Sequence, residues 1–450
     1  MSACTASMVE LGKVVNGMNA GGPSPAVSPA DGTGESGRAG GQAGPGRPDA
    51  ARARLALTLR ERGPLSRAVL AAFGSVPRHL FVTEVAAEAA YQDEAFVIKL
   101  GPDGIPVSSS SQPMMMAIML EQLGLEPGHR VLEVGTGSGY NAAVMAHVTG
   151  TAGSVVTVDI DSELVHRARA SLAAAGYGRV IVRRGDGGYG EPDYAPYDRI
   201  IVTAGAWDVA PAWLDQLAPG GRLVLPLSVR GIQLSVALEC RAGQWMAASA
   251  SRCSFVLMAG AFAGPETIMP LRPAGLFAQV EDGRRLDTSA LSAALAGAAA
   301  GALAEVPPAR PAQLGDLDLW LALTEPGLVR VLLRAAAGPP AVLAFGGLVC
   351  CPSPAAPFAI AGLALAEPGP PGQAERGAPA RVLMRGYGPG GLALAAHLAA
   401  QARRWHDIGR PGAADLTLAV CPAGSALPPG TGLMVLTRPN VRVAAGWPAS

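Results

Sequence analysis

Apolar and polar residues follow two different periods along the first half of the chain. Over residues 50–73 the apolar positions recur at helical spacing on both sides of Gly63-Pro64, which predicts two short helices separated at that break. A third helical pattern starts after Gln112-Pro113 and includes Met116 and Leu120. From there on, short apolar runs of strand length alternate with longer helical patterns.

This alternation predicts a parallel sheet covered by helices on both faces. Asp161 and Ser162 are candidate N-caps of one of the helices, and Gly176 is its predicted end. The predicted helices are Tyr140–Val148, Ser162–Ala175 and Pro211–Leu217. The predicted strands are Arg130–Val134, Val155–Val158, Val180–Arg183, Arg199–Val202 and Arg222–Pro226, followed by the antiparallel strands Leu234–Glu239 and Phe255–Met258.

The pattern divides the chain into three parts. Residues 1–50 are rich in Gly, Pro, Ser and Ala without periodicity, so we expect them to be disordered. Residues 51–270 carry the strand–helix alternation. Residues 271–450 combine short apolar runs with one clear helix at Leu392–Trp405, and this texture predicts a C-terminal accessory domain of the α+β class.

Composition narrows the possible partners and compartments. The chain has 35 basic and 35 acidic residues, so no net charge favours nucleic acid or an acidic membrane as a partner. A secretory signal and a long uninterrupted apolar segment are both missing from the sequence, and we expect a cytoplasmic protein. The six cysteines form no C-x-x-C pair and the six histidines are scattered, so no metal site is predicted.

The segment from Val131 to Gly139, V-L-E-V-G-T-G-S-G, joins a buried strand to a helix through a glycine-rich turn. Such a turn lets the backbone approach a ligand at the N-terminus of a helix. A triphosphate-binding loop would need Lys-Ser/Thr after the last glycine, but Tyr140-Asn141 follow here. The glycines at 135, 137 and 139 are also spaced more tightly than a dinucleotide fingerprint, which suits a cofactor without a pyrophosphate.

Acidic residues at the ends of three successive strands identify the ligand more closely. Asp159 comes about 20 residues after the turn, where a carboxylate can bind both ribose hydroxyls. Asp186, after Gly185, can form hydrogen bonds with the exocyclic amine and, through the adjacent backbone N–H, with a ring nitrogen of adenine. Glu133 can form an ion pair with an ammonium group. A ribose, an adenine and an amino acid together predict S-adenosyl-L-methionine. The residues expected to bind it are Glu133, Gly135, Thr136, Gly137, Gly139, Asp159, Gly185 and Asp186.

Residues 76–268 resemble the protein-L-isoaspartate O-methyltransferase family. The V-P-R-H-L-F-V and S-Q-P segments are far more restricted than the glycine turn, which methyltransferases in general share. The resemblance implies a Rossmann-like methyltransferase fold with a doubly wound sheet. The matching segments are Val76–Val82, Ala90–Asp93, Ser111–Pro113, Arg130–Tyr140, Gly185–Gly187, Tyr197–Ala204 and Leu217–Leu223.

In that family the serine of the S-Q-P segment contacts the carboxylate that is methylated, and the matching residue is Ser111. The resemblance therefore implies an enzyme that methylates an aspartyl or isoaspartyl carboxylate of a protein or peptide, whose ester then collapses to a succinimide. Ser111 has an alternative interpretation as the N-cap of the helix that follows, because it lies just before Pro113.

The chain departs from the family in three ways. An insertion containing Gly101–Gly104 and a run of serines, Ser108–Ser110, replace the usual segment before Ser111. Trp207 and Trp213 stand where the family has smaller residues. The accessory domain is missing from the housekeeping repair enzymes and resembles a branch that acts on ribosomal peptides of the lanthipeptide and graspetide types.

Three interpretations remain open at this stage: general repair of damaged proteins, maturation of a dedicated precursor peptide, and a non-catalytic adaptor that binds isoaspartyl groups. A second glycine-rich segment, Gly386–Gly391, fits the dinucleotide spacing. It lacks the acidic residue about 20 positions later that ribose binding requires, and we interpret it as a tight turn or a substrate-contacting loop.

Overall fold

The chain folds around a large mixed sheet. The structure, a computed structural model, describes residues 47–102, 106–272, 276–296, 300–309, 311–334, 343–350, 360–365, 380–387, 391–427 and 434–447. Most of the segment predicted to be disordered, residues 1–46, therefore lies outside the described residues. The last four residues of that prediction are wrong, because a helix begins at Arg47.

The helices of the first half agree with the apolar periodicity. The two predicted before residue 76 are present on either side of Gly63-Pro64, and Asp161 caps its helix by accepting from the Glu163 and Leu164 backbone N–H groups. The described α-helices are α1 (Arg47–Arg62), α2 (Arg67–Ser75), α3 (Pro113–Leu123), α4 (Tyr140–Thr149), α5 (Ser162–Ala174), α6 (Pro211–Asp215), α7 (Thr288–Ala296), α8 (Pro311–Thr324) and α9 (Gly391–Asp407).

The predicted doubly wound α/β sheet is confirmed. Five strands run parallel and two more continue the sheet antiparallel, in the order β9-β8-β7-β6-β3-β4-β5. A separate hairpin, β1 (Phe96–Leu100) with β2 (Pro106–Ser110), precedes it. The seven strands are β3 (Arg130–Val134), β4 (Ser154–Asp159), β5 (Ile181–Arg184), β6 (Tyr197–Val202), β7 (Leu217–Val229), β8 (Ile232–Arg241) and β9 (Gln244–Cys253).

Apolar side chains cover both faces of this sheet. One core cluster joins Phe73, Leu120 and Val144 from the N-terminal helices to one face. The other cluster joins Leu132 and Leu225 to the opposite face. Burial of one such side chain contributes about 1.5–3 kcal/mol to the stability of the fold. The two cores together hold the parallel strands in place, and this sets the position of the glycine turn that follows β3.

The prediction of a strand at Phe255–Met258 is wrong. Those residues form only an isolated bridge between Leu257 and Gly205, and the last hairpin strand is β9, which ends at Cys253. That strand is composed largely of small and polar residues such as Ala247 and Ser249. Pairing with β8 along its whole length stabilises it despite its weak strand propensity.

A second, seven-stranded sheet follows, in the order β10-β11-β13-β14-β15-β16-β12. Every pairing in it is antiparallel, and helices α7, α8 and α9 accompany it. Its strands are β10 (Thr267–Leu271), β11 (Leu276–Val280), β12 (Ala300–Ala309), β13 (Leu328–Arg334), β14 (Leu343–Cys350), β15 (Ile360–Leu365) and β16 (Ala380–Tyr387).

The end of the described chain returns to the first sheet. Strands β17 (Thr417–Pro422), β18 (Met434–Thr437) and β19 (Val441–Gly446) extend that sheet beyond β9, through β17. One apolar cluster also contains Trp320, Leu398 and Leu418 together with Leu225. The division at residue 270 stays a prediction, whereas the two regions share one core and strands β17, β18 and β19 belong to the first sheet.

Candidate active site

The glycine turn after β3 has a backbone that only glycine adopts without strain. Gly135, Gly137 and Gly139 have φ angles of 102°, 51° and 84°. A Cβ at Gly135 would lie 2.6 Å from Thr203 Oγ1, so the close approach of β6 also excludes a side chain there. Gly139 is the N-cap of α4 and supplies no side-chain oxygen. The Tyr140 N–H donates to Ser138 Oγ at 3.3 Å, and the N–H groups that follow it at the helix N-terminus are suited to bind a ligand.

Glu133 lies beneath the turn and is fully buried. Its Oε1 accepts from Asn141 Nδ2 at 2.8 Å, and its Oε2 accepts from Thr157 Oγ1 at 2.7 Å. Thr136 Oγ1 lies 2.8 Å from the same threonine hydroxyl. Burial raises the pKa of the Glu133 carboxyl to about 7. This network ties the turn to β4 and α4, while the predicted contact of Glu133 with an ammonium group stays a prediction.

Asp159 ends β4 beside the turn. Its Oδ2 accepts from the Gly137 N–H at 2.9 Å and its Oδ1 from the Asp161 N–H at 3.0 Å. Burial raises the pKa of this carboxyl, although both N–H groups act in the opposite direction. The Thr136 N–H is a third donor to this carboxylate, which has about four lone-pair sites, so acceptor capacity remains for the ribose contact that the sequence predicts.

Asp186 follows β5 and holds two loops together. Its Oδ1 accepts from the Gly188 N–H at 2.9 Å, and its Oδ2 accepts from the Ala261 N–H at 2.7 Å. The Phe262 ring packs against Gly188 so closely that a Cβ there would lie 2.1 Å from it. Sequence reasoning predicted Gly185 and Asp186 but missed the segment around Ala261, which no motif marks.

Two tryptophans near the ends of the parallel strands have different roles. Trp213 is fully buried and its Nε1 donates to the Gly187 carbonyl at 2.8 Å, which steadies the loop that carries Asp186. Trp207 lies against Gly264, where a Cβ would be 2.4 Å from the Trp207 Cβ. Trp213 is therefore a core residue, whereas Trp207 lies beside the segment that packs on the Asp186 loop.

Ser111 lies on the segment between β2 and α3. The N-cap of α3 is Gln112, which makes no side-chain cap bond, and Pro113 begins the helix. The alternative interpretation of Ser111 as the N-cap is therefore wrong. Asp93 takes over that function from outside the helix, because its Oδ1 accepts from the Met114 N–H at 2.8 Å.

Arg78 positions the segment that carries Ser111. Its buried guanidinium donates to four backbone carbonyls at 2.9–3.0 Å, those of Ala90, Gln92, Glu94 and Ser111. Burial lowers the pKa of Arg78 to about 10, so the group stays charged at neutral pH. Sequence reasoning found the Val76–Val82 segment without assigning Arg78 a role; a lone arginine inside an apolar segment was the available signal.

The β1–β2 hairpin lies over the glycine turn. A Cβ at Gly137 would lie 3.7 Å from both Ser108 Oγ and the Ser109 carbonyl oxygen. Lys99 Nζ lies 2.7 Å from carboxylate oxygens of both Asp161 and Glu163 at the start of α5. The serine run that departs from the family thus covers the predicted cofactor site, and of the neighbouring insertion, residues 103–105 lie outside the described residues.

A metal-ligand cluster and a membrane-spanning helix are both absent from the part of the chain that the structure describes. There, no three His, Cys, Asp or Glu side chains converge as metal ligands. Within the same residues, no helix has both the length and the apolar character needed to cross a membrane. Of the second glycine-rich segment, 388–390 are not described, and Gly386 packs directly against the Gly391 backbone.

The chain is similar to proteins of one family. Residues 50–262 match the profile of protein-L-isoaspartate(D-aspartate) O-methyltransferase. A protein-L-isoaspartate O-methyltransferase of Methanopyrus kandleri is 43% identical over 222 residues, which are 48% of this chain and 96% of the relative. Protein-L-isoaspartate O-methyltransferase 2 of Archaeoglobus fulgidus is 48% identical over 179 residues, which are 40% of this chain and 79% of the relative.

Solved structures with the same description also align. One protein-L-isoaspartate O-methyltransferase is 23% identical with a TM-score of 0.46, covering 82% of this chain and 96% of its own. A second, described as putative and from Plasmodium falciparum in complex with S-adenosyl-L-homocysteine, is 22% identical with a TM-score of 0.40; it covers 46% of this chain and 98% of its own.

The extent of the sequence match to the relatives decides the assignment. The Methanopyrus protein is matched over nearly its whole length, and the matched region of the chain contains the glycine turn, Asp159, Asp186 and Ser111. The chain is a methyltransferase and its cofactor is S-adenosyl-L-methionine. It belongs to the protein-L-isoaspartate O-methyltransferase family.

Proposed function

We propose that the enzyme methylates an aspartyl or isoaspartyl carboxylate of a peptide, with Ser111 orienting the acceptor oxygen. The observation that carries this proposal is the convergence of two segments. The hairpin that leads to Ser111 covers Gly137, and Arg78 holds the Ser111 carbonyl at 2.9 Å. These contacts support a position of Ser111 near the turn that is predicted to hold the methyl donor.

The residues around the turn fit that donor. Gly135, Gly137 and Gly139, with the first N–H groups of α4, form a cradle without side chains. Asp159 presents a carboxylate to the ribose hydroxyls. Asp186, together with Gly185, presents polar groups to the edge of the adenine ring. When bound there, S-adenosyl-L-methionine supplies an electrophilic methyl group. Glu133 and Thr136 act through the network that shapes the turn.

The chemistry makes little demand on acid–base groups. An unperturbed carboxylic acid has a pKa of about 4, so the acceptor is already ionised at neutral pH and needs no general base. The protein has to hold one carboxylate oxygen in line with the methyl group, which is catalysis by orientation. The Ser111 hydroxyl can donate a hydrogen bond to the other oxygen. After release, the neighbouring backbone nitrogen attacks the ester carbonyl and methanol leaves, which gives the succinimide.

The adaptor interpretation has less support. A non-catalytic binder needs neither an open glycine cradle nor an acidic residue at the end of each neighbouring strand, and the matched relatives are described as methyltransferases. The second sheet shares a core with the methyltransferase region and extends beyond the 50–262 match, and general repair and peptide maturation differ in the task that they give it.

A transfer assay with labelled methyl donor tests the proposal. The purified enzyme is offered a generic isoaspartyl peptide and an Asp-bearing peptide encoded beside its gene. Methylation of the generic peptide supports repair, and methylation and dehydration of only the encoded peptide supports maturation. Cofactor binding without transfer to either peptide would favour the adaptor.

Two variants test the site assignment. Ser111→Ala should lower kcat by at least about tenfold, the loss expected for one hydrogen bond to a charged group, and should leave cofactor affinity within about twofold. Asp159→Ala should weaken cofactor binding by at least about tenfold for the same reason. Equal cofactor affinity in Asp159→Ala and the parent would contradict the ribose assignment.

A further inference from the structure

A charged cavity lies where the first sheet, the second sheet and the C-terminal strands meet. It has a volume of about 180 Å³, several times the ~30 Å³ that one water occupies in the liquid. We call it the junction cavity. Its charged and aromatic lining comprises Trp207, Arg230, Glu281, Arg284, Arg330 and Arg438, together with Asp282.

The cationic groups outnumber the anionic ones in this lining. Four arginines face two acidic residues, an excess of two positive charges. Glu281 bridges the regions, since its Oε1 accepts from Arg438 Nη2 at 2.7 Å and its Oε2 accepts from the Gly231 N–H at 2.5 Å. Asp318, outside the cavity lining, lies 3.2 Å from Arg330 Nη2. With Asp318 counted, four arginines stand against three carboxylates, so an excess of one positive charge remains.

Within the part of the chain that the structure describes, Nη1 of Arg230 and Nη1 of Arg438 in this lining have no acceptor. Arg438 is only 4% exposed, and its Nη1 is buried without a hydrogen-bond partner. Arg230 Nη1 is buried and unpartnered as well, on a residue whose φ angle of 50° is unusual for a side chain other than glycine. A buried donor left unsatisfied costs about 1–3 kcal/mol, and more when it is charged. An anion in the cavity would bring oxygen acceptors to the two arginines that carry these nitrogens.

The junction cavity adjoins the active-site side of the sheet through Trp207. This residue comes five positions after the end of β6, and its ring lies 5.0 Å from the Arg438 guanidinium carbon. Its Cβ packs on Gly264, four residues after Gly260, which contacts Asp186. One continuous set of contacts therefore runs from the predicted adenine site to the cavity.

We propose that the junction cavity binds a carboxylate of the peptide substrate, on a residue other than the one that is methylated. A carboxylate presents two coplanar oxygens that match guanidinium N–H groups. The acidic side chains in the lining disfavour a more highly charged anion such as phosphate. The inference rests on the proposed function, because it gives the second sheet and the C-terminal strands the task of selecting acidic peptides.

Paired peptides test the proposal on the full-length enzyme. Each pair carries one isoaspartyl residue, with either Glu or Gln at a single position, and the pairs step this position from one to five residues on both sides. For at least one position, the Glu peptide should have a kcat/KM about tenfold above its Gln partner, as expected for a hydrogen-bonded charged group. A ratio near one at every position would overturn the inference.

Variants connect the preference to the cavity. Arg438→Gln and Arg230→Gln should each reduce the Glu-to-Gln ratio to below about twofold, since each removes one of the two unpartnered donors. Arg442→Gln is the matched control, because this arginine lies four residues beyond Arg438 and donates to the Ser425 carbonyl at the surface. If Arg438→Gln does not fold, the less buried Arg230 provides the test. Loss of the ratio in the Arg442 variant, or its retention in both others, would contradict the assignment.

Binding without chemistry separates the two proposals. Calorimetry with peptides that carry Asn in place of the isoaspartyl residue should show Glu-dependent binding in the parent that is lost in Arg230→Gln. If no peptide is methylated but this binding persists, the proposed function fails and the cavity still binds carboxylates. If peptides are methylated without Glu-dependent binding, only the cavity proposal fails. Competition by inorganic phosphate at lower concentration than by acetate would also count against a carboxylate site.

Discussion

The glycine turn and the junction cavity are two polar sites built in opposite ways. The turn is made from contiguous residues, and its functional groups are largely backbone N–H groups and one buried network around Glu133. The cavity is made from side chains of several distant segments, with charges of both signs. Backbone dipoles are held in place by the fold itself, whereas the arginines depend on their ion-pair partners for position.

The comparison also explains what sequence could predict. The turn was predictable because a strand and three glycines occupy the nine residues directly before a helix. Asp159 lies at the end of the next strand, and Asp186 lies just after the end of the strand beyond it. The cavity was not predictable, because Arg230 and Arg438 are more than 200 positions apart and neither lies in a motif. The role of Arg78 was missed for a different reason: it lies in the Val76–Val82 segment, but its four acceptors are backbone carbonyls, which carry no side-chain signature.

Some strands of the fold could likewise be predicted from local sequence, and others could not. Strands with branched apolar residues, such as β3 and β4, were predicted within one or two residues. Strand β9 was missed because small residues such as Ala247 carry little strand preference. The return of strands β17, β18 and β19 to the first sheet could not be predicted, since strand pairing between distant segments leaves no local pattern.

The largest expected effect is at Gly135, where the turn should tolerate no side chain. Gly135→Ala should lower the free energy of unfolding by about 1–3 kcal/mol through backbone strain. It should also weaken binding of S-adenosyl-L-homocysteine by roughly a hundredfold, because Thr203 must move. Urea denaturation and calorimetry measure the two effects.

Gly128→Ala is the matched control for that variant. Gly128 has a φ angle of 91°, but no atom lies within 4 Å of its built Cβ. It should lose comparable stability and retain cofactor affinity. If both variants bind the cofactor equally well, the turn is not the shaped cradle that the geometry indicates.

A second, intermediate effect contrasts the buried acids of the two sites. Burial raises the pKa of both Glu133 and Glu281 to about 7, from the ordinary value of 4.5. Between those values the unfolded chain releases the proton and the folded chain keeps it, so each group lowers stability as pH rises. From pH 5 to pH 8 each should cost roughly 2 kcal/mol.

Glutamine variants separate the two acids. At pH 8, Glu133→Gln should be at least as stable as the parent, because its partners Thr157 and Asn141 are neutral. Glu281→Gln should be less stable by about 1–3 kcal/mol, because Arg438 loses its carboxylate. Urea unfolding at pH 5 and pH 8 measures both. If the free energy of unfolding at pH 8 changed by the same amount in both variants, the distinction between a neutral network at Glu133 and a charged network at Glu281 would be wrong.

The smallest expected effect concerns the hairpin over the turn. Lys99→Met removes both ion pairs to α5 and should speed cofactor release by about threefold at low salt, with a smaller difference at high salt because exposed pairs are screened. Stopped-flow displacement measures the rate. Arg241→Met, which removes a comparable surface pair with Glu239, should leave the rate unchanged; a similar acceleration in this control would argue against a specific clamp.

Because the C-terminal strands extend the first sheet, they determine which parts of the chain can be removed without exposing a strand edge. Removing everything after the family match would leave β9 as an edge strand with unpaired N–H and C=O groups along one side, a site for pairing with other chains and for aggregation. A better-behaved minimal enzyme would keep residues 417–446 and replace the second sheet by a short linker. Along the chain, the second sheet lies between β9 and β17, and the first sheet continues after it.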